Sequence, residues 1–172
     1  MIHHGAKFSS KPFSFSDSPL VEVGLDIFEL TDIDPGIEIS RHITVYTPDS
    51  HKVVRAMEVL TLINPSEEAF LPRHGQRSAM AWPLPEGAFD FVIMFGLERS
   101  QLQFVGDDVS IEQPVLPGTS QLSFAYRFPW KASGIDVQRR AVFRTREFVI
   151  MGPAEDLEVV AKPIDRSDDT VI

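Results

Sequence analysis

A chain of 172 residues is long enough to bury a core without metal or covalent staples. It has no cysteine, which excludes a disulfide framework, a thiolate zinc site and a thiol nucleophile. Its formal net charge of -9, from 25 acidic against 16 basic residues spread along the chain, repels phosphate backbones and argues against nucleic acid as a partner.

The densest basic run, Arg139, Arg140, Arg144 and Arg146, lies in a strand-like stretch where alternate side chains point to opposite faces. No window has the continuous apolar length of a membrane span. The start, Met1-Ile2-His3-His4-Gly5, lacks the basic stretch and apolar core of a signal peptide.

Thirteen prolines and ten glycines divide the chain into short runs rich in Val, Ile, Phe and Thr, the rhythm of an all-β protein. First, Val21, Val23, Leu25 and Ile27 alternate with Glu22, Gly24 and Asp26. Next, Ile37, Ile39, Ile43 and Val45 alternate with Glu38, Ser40, His42 and Thr44. These predict two strands, joined by a reversal at Asp32-Ile33-Asp34-Pro35-Gly36. Residues 53–63 are apolar on both faces; Met57 and Leu60, three apart, would suit a helix, but the β-branched Val53, Val54, Val59, Thr61 and Ile63 favour a central strand covered on each side and ended by Asn64-Pro65-Ser66. Further strands are expected at 89–95, 101–105 and 109–112.

The clearest period of two sets Leu122, Phe124, Tyr126 and Phe128 inward and Gln121, Ser123, Ala125 and Arg127 outward, opened by Pro117-Gly118 and closed by Pro129. Strands at 135–145, 148–151 and 157–161 complete the series. The fold class is all-β: an antiparallel β-sandwich of about ten strands with little or no helix. It forms one domain over 1–161, or two β lobes meeting near 65–77. A flexible tail is expected over 162–172, where Asp165, Asp168 and Asp169 leave few apolar residues. Two similar turns, Leu84-Pro85-Glu86-Gly87 and Leu116-Pro117-Gly118, each enter a strand. With no third copy they read as neighbours in one sheet and not as a repeat.

Candidate chemistry is sparse. Arg73-His74-Gly75-Gln76-Arg77 resembles the start of the histidine phosphatase signature, in which a histidine accepts a phosphoryl group held by arginines. The chain has Ser78 where that family has proline, and no histidine follows His74. His3, His4, His42, His51 and His74 lack the paired spacing of a zinc site, and His42 is expected on the solvent side of its strand. Asp32, Asp34, Gly36 and Glu38 match only fragments of a calcium loop and read as turn formers, as do Glu67-Glu68 and Asp107-Asp108. Serine-hydrolase and phosphate-loop patterns are absent. Trp82 and Trp130, each beside a proline, with Tyr126, form a sugar-stacking platform if exposed and pack in the core or rim if not.

Taken in order, Val21 to Thr31, Ile37 to Tyr46, Glu58 to Pro65, Trp82-Pro83-Leu84-Pro85-Glu86-Gly87, and Val115 to Thr119 leading into Phe124-Ala125-Tyr126-Arg127-Phe128-Pro129 make up a familiar series. The series is similar to uncharacterised extracytoplasmic β-domains of bacterial membrane-anchored proteins, which often follow a carboxypeptidase-regulatory-like module. That resemblance implies a periplasmic or surface location and a module without catalytic, cofactor or metal residues. Such a module acts as a spacer or contacts another protein, with a glycan as the alternative partner.

Overall fold

The computed structural model describes residues 2–3, 6–8, 22–49, 52–71, 80–106, 108–130 and 142–153. In chain order the strands are β1 (Ile2–His3), β2 (Ala6–Lys7), β3 (Leu30–Thr31), β4 (Glu38–Pro48), β5 (Val53–Asn64), β6 (Ala69–Phe70) and β7 (Ala81–Pro83), followed by β8 (Phe89–Phe95), β9 (Leu102–Val105), β10 (Asp108–Ile111), β11 (Gly118–Pro129), β12 (Arg144–Thr145) and β13 (Phe148–Met151). One turn of 3-10 helix at Arg99–Gln101 is the only helical element among the described residues. The protein is all-β.

The main sheet has six strands in the order β12-β4-β5-β11-β8, with β13 also on β4. Its long strands β4, β5 and β11 pair antiparallel, while β12 and β13 join β4 in parallel. A three-stranded antiparallel sheet, β7-β10-β9, lies across it. The two sheets share one core. Ile39, Val54, Leu60, Leu62, Phe124, Tyr126 and Phe128 of the large sheet cluster with Trp82, Val109 and Ile111 of the small one. This is a sandwich, with β5 central in its sheet, although its outer face is only half-buried and not covered as expected.

Side-chain alternation holds along β5, where Val54, Ala56, Glu58, Leu60, Leu62 and Asn64 are buried and the intervening residues are half-buried or exposed. It does not hold along β4. A register irregularity between Ile39 and Arg41 inserts Ser40 as an extra residue opposite β5. Such a bulge reverses the parity of every side chain beyond it. Ile37 and Ile39 therefore point inward before it and His42 and Thr44 after it, while Ile43 and Val45 turn to the half-buried outer face. The expected solvent position of His42 is thus corrected.

Two other expectations change. Residues 22–29 run outside any strand, with Val23 and Ile27 exposed, and only Leu30–Thr31 finds a partner, in β6. Period-two spacing reports a chain with one covered side, and a ladder needs a neighbouring strand as well. Ser123 and Ala125 are buried although they lie on the outer face of β11. Both are small and sit between larger cross-strand neighbours, Val59 and Phe95 for Ser123, Met57 and Val92 for Ala125, which shade them from water. The predicted strand at 157–161, most of that at 135–145, and the tail from 162 lie outside the described residues.

Turn chemistry follows the sequence. Asp34 Oδ1 accepts the Gly36 and Ile37 amides, each at 2.9 Å, and turns the chain into β4. Asn64 Nδ2 donates to the Glu68 and Val115 carbonyls, fastening the exit of β5. The turns at 84–87 and 116–118 lead into β8 and β11, adjacent strands of one sheet. Gly96 leaves β8 at φ 75°, where a Cβ would collide with the Gln121 carbonyl of β11. Gly96→Ala is expected to cost about 1–3 kcal/mol, the usual range for overpacking, read as a lower urea midpoint at unchanged slope.

Candidate functional site

The most chemically capable cluster surrounds Glu58, at the middle of β5. Glu58 is 0% exposed, the one charged side chain at an inward position of that strand. Burying a carboxylate is costly unless hydrogen bonds replace its water. Tyr126 of β11 donates its hydroxyl to Oε1 at 2.6 Å. Trp82 of β7 donates its indole N–H to Oε2 at 3.1 Å. His42 of β4 places Nε2 2.9 Å from the same oxygen. An indole N–H can only donate, so Oε2 is an acceptor, and the histidine tautomer that satisfies it carries hydrogen on Nε2. Thr44 Oγ1 lies 3.2 Å from that nitrogen. The His42 ring is held edge-on between Trp82 at 5.2 Å and Phe148 at 4.6 Å.

A carboxylate, an imidazole and a phenol within hydrogen-bond reach form a constellation that could move protons. Here each of the three donors is directed at Glu58, which is sealed from solvent. The arrangement ties three neighbouring strands of the large sheet to β7 of the small one. Such an arrangement is suited to holding strand register and sheet-to-sheet alignment together, the best attested use of a buried polar network.

Exposed apolar side chains gather elsewhere, on β8 and β9, the outer strands of the two sheets on one side of the sandwich. Phe89, Val92, Met94, Phe95, Phe104 and Val105 are each 44–63% exposed. Phe91 bridges the two edges, stacked on Phe124 at 5.1 Å and edge-on to Phe104 at 5.4 Å. A cleft of about 420 Å³ opens there, lined by Phe89, Phe91, Phe104 and Tyr126 with Asp90 and Arg99. Asp90 faces Arg127 at 3.4 Å.

The other sequence candidates do not converge on a site. Trp82 and Tyr126 are buried, so neither can stack on a sugar, and Trp130 is half-buried with its indole nitrogen enclosed. In the Asp32 to Glu38 turn, Asp34 accepts backbone amides and Glu38 pairs with Arg146. Among the described residues no group of three or more His, Asp or Glu could hold a metal ion. Arg73, His74 and Arg77, with His4, His51 and Asp107, lie outside the described residues. Sequence reasoning missed the Glu58 cluster, although a lone glutamate inside an apolar run was its signal.

No protein-family model matches the chain, and no curated protein does. Among solved structures it is similar to the M1 zinc metallopeptidase of Deinococcus radiodurans, at 16% identity and a TM-score of 0.37, over 62% of this chain and 25% of that one. A point mutant of the same peptidase gives 17% identity and a TM-score of 0.36. The mutant bound to a Tyr-Ser-Ala substrate gives 16% and 0.37. The chain therefore spans about a quarter of the length of these proteins.

Proposed function

We propose that this chain is a non-catalytic β-sandwich module of a bacterial envelope protein and works through contact with another protein. The observation that carries the reading is the pair of sheet edges where β8 and β9 expose six large apolar side chains, two of which, Phe89 and Phe104, line an aromatic cleft. Large apolar side chains exposed at sheet edges favour an interaction site, and strand edges left open among the described residues invite a partner. The sealing of Glu58 supports the same view, since the buried groups able to transfer protons, Glu58, His42 and Tyr126, are occupied in joining the sheets. Resemblance to extracytoplasmic β-domains supports the envelope location.

The test is site-specific photo-crosslinking in intact cells, followed by fractionation. A photoreactive residue at Phe104 is expected to give a higher-mass protein adduct in the envelope fraction, while one at exposed Thr47, on β4, gives none. Absence of adducts from both positions would reduce the module to a spacer. Recovery of the protein in the cytosol would overturn the envelope assignment.

A further inference from the structure

The sandwich is unevenly fastened. None of residues 144–153 is buried, although Phe143, immediately before them, is part of the core. Among the described residues both β12 and β13 pair only with β4, at the edge of the large sheet opposite β8. What holds them is local. The His42 amide donates to the Glu147 carbonyl and the Arg146 amide to the Ile39 carbonyl, each at 2.9 Å. Arg41 pairs with Glu147 at 2.6 Å and Arg146 with Glu38 through two of its guanidinium nitrogens, Nε and Nη2, and apart from Glu38 these side chains are about half exposed. The Phe148 ring, itself 46% exposed, rests against His42. Exposed ion pairs contribute little and are screened by salt. Segments with no buried side chain and solvent-facing hydrogen bonds open first. Yet this weakly held segment covers His42, whose Nε2 reaches the buried Glu58.

We propose that β12–β13 is a detachable strap: it opens from β4 while the sandwich stays folded, baring the outer edge of β4 and the imidazole of His42. This goes beyond the contact surface on β8 and β9, which lies on the opposite side of the sheet. Salt loosens the strap. The Arg146 hydrogen bond, with further attraction from Arg144, holds the Glu38 carboxyl below its ordinary 4.5. A depressed carboxyl contributes fully above the unfolded value and loses that contribution only as pH falls through the lowered folded value. Near neutrality the pair is therefore intact until ions screen it.

Amide hydrogen exchange of the full chain, followed by NMR, tests the strap. The His42 amide is expected to exchange faster than amides of the β5–β11 ladder, and to speed up about tenfold in Phe148→Ala, which loses the ring contact. Val54→Ala weakens the buried core and is expected to speed the ladder more than tenfold while leaving the His42 amide unchanged, because strap opening does not involve Val54. Raised salt is expected to speed His42 exchange about two- to fivefold. If the His42 amide follows the ladder in Val54→Ala, or does not respond to Phe148→Ala, β12–β13 belongs to the cooperative core and the proposal is overturned.

Discussion

Glu58→Ala is expected to destabilise the protein by about 3–5 kcal/mol, the range for breaking a buried charged network from one side. The loss comes chiefly from what remains: the Trp82 indole, the Tyr126 hydroxyl and the His42 imidazole would lose their shared acceptor in a region where Glu58 is 0% exposed. A buried donor left without its partner costs more than a hydrogen bond gains in water. Tyr126→Phe keeps the ring and removes one donor, so it is expected to cost about 1–2 kcal/mol. Urea midpoints at constant slope measure both. A further comparison separates polarity from packing. Combining Glu58→Leu with Tyr126→Phe and His42→Leu replaces three of the polar partners by apolar volume and is expected to recover part of the lost stability, the Trp82 indole N–H still lacking its acceptor. A near-neutral Glu58→Ala would mean that the cluster is not the tie between the sheets.

The strands were legible where the period of two ran long. Residues 89–95 and 148–151 form strands at the expected ends, and Leu122, Phe124, Tyr126 and Phe128 are buried together on β11. Legibility failed where facing depends on a neighbour. The bulge at Ser40 leaves no mark in composition, yet it moves His42 from water to the core and Ile43 and Val45 to the outer face. Ser123 shows the same limit, because shading by Val59 and Phe95 is a property of adjacent strands. Strands of two or three residues, such as β6 and β7, are too short to show any period. The Glu58 cluster was half legible: the glutamate stood out of its apolar run, but its partners sit 16, 24 and 68 residues away and only the fold brings them together. The exposed edges of β8 and β9 were invisible, since which strand ends a sheet is a matter of topology.

Phe124→Ala is expected to cost about 3–5 kcal/mol, the range for truncating a buried aromatic side chain. Phe124 is 0% exposed and lies opposite Glu58 on one side and Ile93 on the other. Its ring stacks on Phe91 at 5.1 Å and meets Trp82 edge-on at 5.9 Å, so it joins the large sheet to the small one. Each such pair adds roughly 0.5–1.5 kcal/mol beyond area burial. The cavity falls between β11, β8 and β7, and filling it requires movement of two sheets, which places the cost toward the upper end. That is a large share of the roughly 5–15 kcal/mol that holds a typical domain. Gln121→Ala, exposed on the same strand, is expected to change stability by less than about 0.5 kcal/mol. Because Phe124 and Glu58 are direct cross-strand partners and both touch Trp82, their alanine variants should not add. The double variant is expected to cost less than the sum by about 0.5–3 kcal/mol, since the first truncation already loosens the region that the second would disturb. Strict additivity would mean that the aromatic stack and the carboxylate cluster are held independently, and that β7 is docked by one of them alone.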